Sequence, residues 1–574
     1  MKTRWGEQFD PDHVLLEYPR PQMRREDFLM LNGAWQYAIA KGNAEPEAYD
    51  GEIIVPFSPE CALSGVERSL QPDETLWYKR EFAFDESFSG NRALLHFGAV
   101  DQMATVYLNG HTLGSHTGGY TAFSFDMTEH LLARNTLVVR VTDTTDTSYH
   151  SRGKQKTKRG GIWYTPQSGI WQSVWMEIVP ESYIERLTIE SRFDEGAVEI
   201  TAHLAGGGAM PCTLHFEGAE ICGTTGAPMR LALEGFTPWS PETPKLYDFS
   251  VTAGADRVES YFAMRKFSVE KDDAGVPRLF LNNKPYFHNG VLDQGYWPDG
   301  LYTAPCDEAM VEDILAMRRM GFNTLRKHIK IEPMRWYYHC DRLGMLVWQD
   351  MPNGGGAYRA DIISVPAVAN ISLSDGERNY ARFAREDARG RAQYDKELRE
   401  MIAQLYNCPC IAVWVPFNEG WGQFDAKKAY ETVLSLDFSR TVDHASGWHD
   451  QGAGEVQSLH VYFRPYRHRP DRRGRAVLLS EFGGYNYRLP GYCFNDKDFG
   501  YKRVKSAEEL YRAFAALYEN EIIPAKRKGL AAAIYTQLSD VEDELNGLLT
   551  YDRAVAKLPA EEIKMLMNRL TQDN

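Results

Sequence analysis

The fold is decided by the run Ile411-Ala-Val-Trp-Val-Pro-Phe-Asn-Glu419, which is almost wholly apolar until it ends in an amide and a carboxylate. A second run, Ala476-Val-Leu-Leu-Ser-Glu481, is built in the same way and precedes Phe482-Gly-Gly484. Apolar runs of this length that glycine bounds predict strands buried on both faces. Strands of this kind, with chemical side chains at their carboxyl ends, are typical of a (β/α)8 barrel.

Glu419 and Glu481 are the candidate catalytic residues that these runs present. A carboxylate at the end of a buried strand is poorly solvated, so it has to be paired, hydrogen-bonded or used in chemistry. A barrel of parallel strands brings two such residues to one rim. A pair of carboxyl groups at one rim is what glycoside hydrolysis requires.

Working outward from these runs, strand and helix patterns alternate from about residue 269, which predicts repeated βα units. The clearest helices are Asp307–Met320 and Glu386–Tyr406. Counting along the chain puts Glu419 on strand four and Glu481 on strand seven. The eight predicted strands are Tyr286–Val291, Asn323–Ile329, Met345–Met351, Cys410–Glu419, Thr441–Ala445, Ser458–Tyr462, Val477–Glu481 and Ala531–Gln537.

The N-terminal half has a different pattern, with short strands separated by turn signals. Asn109-Gly110 lies between two β-rich runs and is a strong hairpin signal. We therefore expect a multidomain β and α/β protein. Residues 1–182 are predicted to form a jelly-roll β-sandwich and 183–268 an immunoglobulin-like β-sandwich. Residues 269–574 are predicted to form the (β/α)8 barrel.

Composition narrows the classes of partner. The 574 residues carry a net charge of −15, which argues against nucleic acid or an anionic membrane as partner. The N-terminus lacks the apolar stretch of a secretion signal, and no run has the length of a membrane span. The 8 cysteines are scattered without a CxxC motif, which favours free thiols in the cytoplasm. No cofactor or metal is predicted, although carboxylates leave a bound Ca²⁺, Mg²⁺ or Na⁺ open.

Motifs along nearly the whole chain carry a family likeness. The chain resembles glycoside hydrolase family 2, which includes β-galactosidases, β-glucuronidases and β-mannosidases. By analogy with that family, a homo-oligomer is a possible state. The segments that carry the resemblance are Val106–Gly110, Gly114–Asp126, Gln167–Gln172, Met264–Phe267, Leu281–Tyr286, Gly321–Arg326, Asn418-Glu419 and Ser480-Glu481-Phe482.

The resemblance implies a retaining mechanism with divided roles. It assigns Glu419 as the acid/base and Glu481 as the nucleophile, and it implies that Asn418 donates a hydrogen bond to the sugar 2-hydroxyl. The nucleophile has to stay ionised, which requires hydrogen-bond donors close to it. Arg326 at the end of strand two and Tyr462 at the end of strand six are the candidate donors.

Five further residues are predicted to contact the sugar, although each has an equally simple structural role. His328 lies two residues after Arg326 and so on the same face of its strand, whereas the family more often spaces these residues by three. The other four are Asp350 after strand three, Trp448 after strand five, His460 on strand six and Gln537 on strand eight.

The sequence also bears on the choice of sugar. Glucuronidases of the family carry Asn-x-Lys after strand eight, but here the nearest match is Asn546-Gly-Leu548, without the lysine. The acidic segment Ser539–Glu544 is expected to repel a uronate. These features favour a neutral sugar, with a β-galactoside first. A β-mannoside, a β-glucuronide and an α-arabinoside stay open.

Two functions of other classes compete with this interpretation. The first is a non-catalytic carbohydrate-binding protein, which loss of either glutamate would have favoured. The second is a metal-dependent isomerase or an aldolase, for which Lys327 is a candidate Schiff-base residue because cations on both sides would lower its pKa. The basic segment Arg152–Gly160 could reach the active site, but a solvated loop is the simpler expectation.

Overall fold

The structure is a computed structural model that describes residues 1–84, 91–369 and 371–572. Its N-terminal part contains two antiparallel sheets with strand orders β1-β12-β5-β9 and β3-β2-β4-β10-β7-β8, and a short β6-β11 ribbon. The strands are β1 Phe28–Met30, β2 Gly33–Lys41, β3 Gly51–Val55, β4 Glu74–Ala83, β5 Arg92–Phe97, β6 Val100–Asp101, β7 Met103–Leu108, β8 His111–Thr117, β9 Phe123–Asp126, β10 Arg134–Thr142, β11 Gly169–Ile170 and β12 Val174–Val179.

The two larger sheets bury a shared apolar core. Trp35, Leu95, Val106 and Val139 are all at most 1% exposed within it. Strand β7 alternates buried and more exposed positions, as expected for a sheet with one face in a core. Asn109 follows β7 with a positive φ and leads into β8, so the predicted hairpin is present. The jelly-roll topology stays a prediction.

A second pair of antiparallel sheets follows, with orders β13-β14-β17 and β16-β15-β18-β19. Their core includes Ile200, Leu214 and Val251, all fully buried. A small sheet, β20-β21-β22, then leads into the barrel. The strands are β13 Ile184–Arg192, β14 Ala197–Leu204, β15 Pro211–Phe216, β16 Ala219–Thr224, β17 Met229–Ala232, β18 Tyr247–Ala253, β19 Asp256–Phe262, β20 Phe267–Lys271, β21 Pro277–Leu281 and β22 Lys284–Pro285. The immunoglobulin-like description and the domain boundaries stay predictions.

The C-terminal part contains an eight-stranded parallel sheet with the order β27-β26-β25-β24-β23-β32-β29-β28. Each of the eight predicted strands overlaps one of these, which confirms the multidomain β and α/β class. A two-stranded ribbon, β30-β31, follows the seventh strand. The strands are β23 His288–Asp293, β24 Thr324–Lys327, β25 Leu346–Asp350, β26 Ile411–Val415, β27 Thr441–Val442, β28 Val456–Val461, β29 Ala476–Gly483, β30 Tyr485–Asn486, β31 Lys502–Arg503 and β32 Leu530–Thr536.

Helices cover part of the parallel sheet, and both predicted helices are present with ends within two residues of the prediction. The Asp387 side chain caps α6 by accepting from the amide of Arg389, and Ser506 caps α8 in the same way. The α-helices are α1 Arg4–Glu7, α2 Asp307–Arg319, α3 Met334–Leu343, α4 Ala360–Ile363, α5 Pro366–Ala369, α6 Ala388–Leu405, α7 Ala426–Leu436, α8 Ala507–Leu517, α9 Ile523–Arg527 and α10 Ala560–Gln572.

Polar side chains join the three parts of the chain. The buried Arg25 guanidinium lies 3.1 Å from Glu177 in the first part and 2.8 Å from Asp256 in the second. Asp341 on α3 accepts a hydrogen bond of 2.7 Å from Tyr261 in the second part. All eight cysteines are free and five are buried, as predicted. Within the described ranges, no helix is long and apolar enough to cross a membrane.

Candidate active site

Glu419 and Glu481 lie side by side at the carboxyl ends of the parallel strands. Glu481 is within β29, and Glu419 lies in the loop that follows β26. Each offers a carboxylate oxygen within 4.8 Å of the other and of a His460 nitrogen. Glu419 has a φ of 50°, a left-handed conformation that is uncommon for a residue with a side chain and is often found at functional sites.

Arg326 on β24 forms hydrogen bonds with several side chains of this site. Its guanidinium, which is fully buried, donates to Asp350 at 3.0 Å, to Glu481 at 3.1 Å and to Asn418 Oδ1 at 2.8 Å. Two carboxylates and an amide therefore share one fixed cation. Because a planar guanidinium has a rigid set of donors, these contacts fix the orientation of all three partners.

Among the described residues, only one end of the Asn418 side-chain amide has a hydrogen-bond partner. Its Oδ1 accepts from Arg326, whereas its Nδ2 is buried and has no hydrogen-bond partner among the residues described. A buried amide donor without a partner costs stability, so its presence beside two carboxylates points to a ligand that accepts from it.

His460 on β28 lies between the two glutamates. Its Nδ1 is 2.7 Å from Glu419 Oε1 and 3.6 Å from Glu481 Oε2, and its Nε2 is 3.5 Å from Arg326 Nη1. Burial lowers the pKa of His460 to about 4, so the ring is neutral at neutral pH. Since Arg326 can only donate, we infer that Nε2 accepts and that Nδ1–H donates to Glu419.

Tyr462 follows β28 and reaches the other glutamate. Its hydroxyl donates to Glu481 Oε2 and also lies 2.9 Å from Thr536. Its ring stacks on Tyr501 with the centroids 3.7 Å apart. Arg326 and Tyr462 therefore both donate to Glu481, as the predicted support of that carboxylate requires.

The two carboxyl groups have different surroundings, although burial raises the pKa of both. The pKa of Glu419 is raised to about 7, because burial outweighs the opposing charges of Lys154 and Arg326. The pKa of Glu481 is also raised by burial, and the Arg326 charge and the Tyr462 hydroxyl act against the rise. These two donors stabilise the ionised form of Glu481, which suits a nucleophile.

His328 and Asp350 form a buried pair beside Arg326. His328 Nδ1 is 2.7 Å from Asp350 Oδ2, while Asp350 Oδ1 accepts from Arg326. Both Asp350 oxygens are therefore occupied within the protein, so the carboxylate orients its two neighbours. The His328 ring meets the edge of Trp421, with centroids 5.8 Å apart.

Trp448 and Gln537, the last two predicted sugar contacts, differ in whether their polar atoms already have hydrogen-bond partners. Trp448 is half-buried against His460, and its indole Nε1 has no partner in the described part of the chain. Gln537 is fully buried, donates to Asn546 at 2.8 Å and accepts from Gln294 at 2.7 Å. Both ends of the Gln537 amide are therefore engaged by the protein.

The expectation that neighbouring cations lower the pKa of Lys327 is wrong. Its ammonium lies 2.7 Å from Asp293 and 2.8 Å from Glu332. Burial disfavours the charge of Lys327, yet these two carboxylates raise its pKa above the ordinary value. A charged amine held by two carboxylates is not a ready nucleophile, which removes the main support for an aldolase.

The expectation of a solvated basic loop is wrong for the first half of Arg152–Gly160. Arg152 and Lys154 are buried, and the Arg152 amide donates to Asn353 O after β25 at 2.8 Å. Gly153 has a φ of 60°, and a Cβ there would lie 2.7 Å from the Tyr302 hydroxyl. The first half of the loop therefore packs against the carboxyl ends of the parallel strands, whereas Lys158 is exposed.

The carboxylates of the acidic segment Ser539–Glu544 are largely paired with cations. Asp540 is paired with Lys557 at 2.6 Å, and Asp543 is paired with Arg159 at 2.9 Å. Glu544 lies 3.7 Å from the Lys154 ammonium. These cations offset much of the negative charge, so repulsion of a uronate is weaker than the sequence suggested.

Lys154, Tyr501 and Glu544 are side chains near the glutamates that the sequence analysis did not place in the site. Lys154 and Glu544 both influence the pKa of Glu419. Glu419 and Glu481 in turn raise the pKa of the Tyr501 hydroxyl, after the larger effect of burial. All three lie on loops, away from the strands that carry the predicted site. The basic segment 152–160 and the acidic segment Ser539–Glu544 gave signals in the sequence, whereas nothing pointed to Tyr501.

Glu419, His460 and Glu481 form the one group of three metal-ligating side chains found among the described residues. A group of this kind can bind a cation, and the same arrangement can also support proton transfer and nucleophilic attack. One carboxyl with a pKa near neutrality beside a carboxylate with several donors matches the requirements of double displacement at an acetal carbon.

Two family models match the chain. The glycosyl hydrolase 2 galactose-binding domain-like model covers residues 59–170, and the glycosyl hydrolases family 2 TIM barrel model covers 277–480. A β-galactosidase of Thermoanaerobacter pseudethanolicus is 26% identical over 391 residues, which is 63% of this chain and 47% of the relative. A β-galactosidase of Leuconostoc mesenteroides is 24% identical over 412 residues, 66% of this chain and 36% of the relative. The chain spans less than half the length of either relative.

Solved structures share the fold at low sequence identity. A β-glucuronidase of an uncultured Clostridium has a TM-score of 0.72 at 16% identity, and the alignment covers 98% of this chain and 100% of that chain. A family 2 β-galacturonidase from Eisenbergiella tayi, bound to galacturonate, has a TM-score of 0.70 at 18% identity, with 98% and 100% covered. At these identities the likeness describes the fold alone.

Proposed function

We propose that this chain, which belongs to glycoside hydrolase family 2, removes terminal β-linked sugars from glycosides with retention of configuration. The observation that carries the proposal is the placement of the Glu419 and Glu481 oxygens within 4.8 Å of each other. Retaining enzymes hold their two carboxyl groups about 5–5.5 Å apart, whereas inverting enzymes need about 6.5–9.5 Å to admit a water.

The reaction proceeds in two displacements. In the first, the Glu481 carboxylate forms a bond to the anomeric carbon while the bond to the leaving oxygen breaks, and Glu419 gives that oxygen a proton. In the second, Glu419 takes a proton from water, whose oxygen displaces Glu481 from the sugar. His460 donates to Glu419 Oε1, so the proton that moves is carried by Oε2.

Asn418 and Arg326 supply the transition-state contacts. The open Asn418 Nδ2 is the donor for the hydroxyl next to the anomeric carbon. Arg326 holds Asn418 and Glu481 at fixed positions, so little reorganisation accompanies the attack. Donors fixed in advance of charge development make a large contribution to catalysis.

A β-galactoside is the favoured substrate. Its support is the absence of a lysine after Asn546, the Glu544 carboxylate close to Glu419, and the names of the two curated relatives. A β-uronoside is the second candidate, because Lys154 brings a cation to the site from the first part of the chain. Nitrophenyl β-galactoside, β-glucuronide and β-galacturonide compared at equal concentration separate these candidates.

Glu481→Gln tests the proposal. The amide cannot attack the anomeric carbon, so turnover of aryl β-glycosides should fall by roughly 10⁴-fold or more. Rates close to those of the unmodified protein would contradict the assignment. Glu455→Gln is the matched control, because Glu455 lies just before β28 on an exposed turn, and it should leave the rates unchanged.

A further inference from the structure

The Lys154 ammonium enters the site with most of its hydrogen-bonding capacity unused. It has three donors, yet in the described parts of the chain it makes one long hydrogen bond, of 3.4 Å, to the Tyr164 hydroxyl. Glu544 is an ion-pair partner at 3.7 Å, which is beyond hydrogen-bond distance. The Lys154 side chain is only 5% exposed, so water can hardly supply the missing acceptors.

Two neighbouring groups enclose this ammonium. It lies 5.8 Å from the centre of the Trp421 ring and 5.2 Å from that of Tyr164. The indole Nε1 of Trp421 is buried without a partner in the part of the chain that the structure describes. The Lys154 ammonium, which has unused donors, and the Trp421 indole, which has no acceptor, thus lie near each other. Trp421 is two residues after Glu419 in the chain.

The backbone makes this placement rigid. Arg152 and Gly153 both donate to the Asn353 carbonyl, at 2.8 and 3.1 Å, and the Lys154 carbonyl accepts from Tyr164 at 3.0 Å. The loop is therefore attached to the barrel before Lys154 and to its own continuation at Lys154. A lysine held in this way has already lost much of the conformational freedom that binding would otherwise remove.

The path of the substrate through the site indicates which part of the substrate lies against Lys154. An aglycone has to extend from the glycosidic oxygen to bulk solvent, whereas Lys154, Tyr164 and Trp421 form an enclosed wall. The terminal sugar is the part of the substrate that lies against an enclosed wall. Because Glu544 balances the lysine charge, the wall is close to neutral and suits a hydroxyl better than a carboxylate.

We propose that Lys154, paired with Glu544, is a specificity-determining residue that donates a hydrogen bond to a hydroxyl on the terminal sugar, on C4 or C6, away from the anomeric carbon. This inference rests on the proposed function and adds to it the way in which the glycone is selected. A loop of the N-terminal part of the chain then sets the sugar preference of a reaction carried out in the barrel.

The test removes the Lys154 ammonium from the enzyme and, separately, one hydroxyl from the substrate, and asks whether the two losses depend on each other. The kcat/KM of Lys154→Met is measured with an aryl glycoside of the best-cleaved sugar and with its 4-deoxy and 6-deoxy analogues. Loss of a charged hydrogen bond should lower kcat/KM by roughly 10- to 100-fold for the parent sugar. The loss should shrink to about 2-fold for the analogue that lacks the bound hydroxyl.

Lys158→Met is the matched control, since it removes the same charge from an exposed position of the same loop and should leave all three rates unchanged. An equal loss by Lys154→Met on every analogue would overturn the proposal. A preference of the unmodified enzyme for a uronide that Lys154→Met abolishes would also overturn it, because the ligand would then be a carboxylate.

A second readout is the pH dependence of kcat/KM in the variants Lys154→Met and Glu544→Gln. If the two residues had only a structural role, their variants would not shift this dependence in opposite directions. After burial, Lys154 is the largest influence on the pKa of Glu419 and lowers it, while Glu544 raises it. The alkaline limb of kcat/KM should therefore move to higher pH in Lys154→Met and to lower pH in Glu544→Gln. Shifts of the same sign would contradict the pairing.

Failure of this inference can be told apart from failure of the proposed function. An unmodified protein that cleaves no aryl glycoside, or a Glu481→Gln variant that keeps its rate, would overturn the function itself. If the unmodified enzyme is active and Glu481→Gln is not, an absence of coupling between Lys154 and the deoxy analogues overturns the lysine proposal alone.

Discussion

Glu419 and Glu481 carry the same functional group, and the residues around each carboxyl group give the two different chemical properties. The Glu481 carboxyl group receives hydrogen bonds from Arg326 and Tyr462, whereas His460 is the hydrogen-bond partner of the Glu419 carboxyl group among the described residues. Extra donors favour the ionised form, and burial with few donors favours the protonated form. The surroundings thus suit Glu481 to the proposed role of nucleophile and Glu419 to the proposed role of acid.

The pKa of about 7 for Glu419 gives a prediction at this scale. In the proposed mechanism catalysis begins with Glu419 protonated, so kcat/KM should fall as the pH rises through about 7. The pH dependence of kcat/KM with an aryl glycoside checks this. In Glu419→Gln, measured with an activated leaving group such as dinitrophenolate, the alkaline limb should be absent. An unchanged limb in that variant would assign it to another group.

Single residues were predictable from the sequence where a strand fixed them. Arg326 and Asp350 lie on strands, and Tyr462 immediately follows one, so counting strands brought them to the same rim as Glu481. Their partners were not predictable, because hydrogen bonds depend on side-chain positions across the barrel. The use of both Asp350 oxygens by Arg326 and His328 is an example.

Among the elements, the loop that carries Lys154 departs furthest from what the sequence indicates. A run with Lys154, Lys156, Lys158 and Arg159 has the composition of a solvated surface. Contacts more than 200 residues away in sequence, such as that of the Arg152 amide with Asn353, bury its first half instead. Local composition contains no information on such distant contacts, whereas the period of a buried strand is local.

Gly153→Ala tests whether this loop matters to catalysis. The added Cβ would lie 2.7 Å from the Tyr302 hydroxyl and 3.0 Å from the Ile329 carbonyl, so the loop has to shift. A displacement of about 1 Å should lower kcat/KM by roughly 10-fold or more. Steady-state kinetics with an aryl glycoside measures the effect.

Gly206→Ala is the control for Gly153→Ala. Its φ of 70° resembles that of Gly153, but a Cβ there meets nothing within 4 Å. Both variants carry the backbone cost of about 1–2 kcal/mol for a side chain at positive φ. Equal activity of the two variants would show that the position of the loop is not important.

At the scale of the whole molecule, buried charges hold the parts of the chain together. Arg25 contacts Glu177 in the first part and Asp256 in the second, and all three side chains are at most 5% exposed. Arg25→Met should lower the stability by about 3–5 kcal/mol, because it leaves the buried Asp256 carboxylate without its cation and leaves Glu177 with Arg20 alone. Thermal unfolding monitored by calorimetry checks the prediction.

Arg92→Met is the comparison for Arg25→Met. Arg92 also contacts two carboxylates, Asp126 and Glu181, but its side chain is 37% exposed and water replaces the lost contacts. Its melting temperature should change little. Similar melting temperatures for the two variants would contradict a structural role for the buried bridge.

If Glu481 attacks the anomeric carbon as proposed, the glycosyl-enzyme intermediate can be trapped on its side chain. A 2-deoxy-2-fluoro glycoside of the cleaved sugar with an activated leaving group slows the second displacement, so the sugar should stay bonded to the enzyme. After proteolysis, mass spectrometry should find the fluorosugar on the peptide that contains Glu481, at Glu481 itself. A fluorosugar attached to Glu419 or to any other residue would contradict the account.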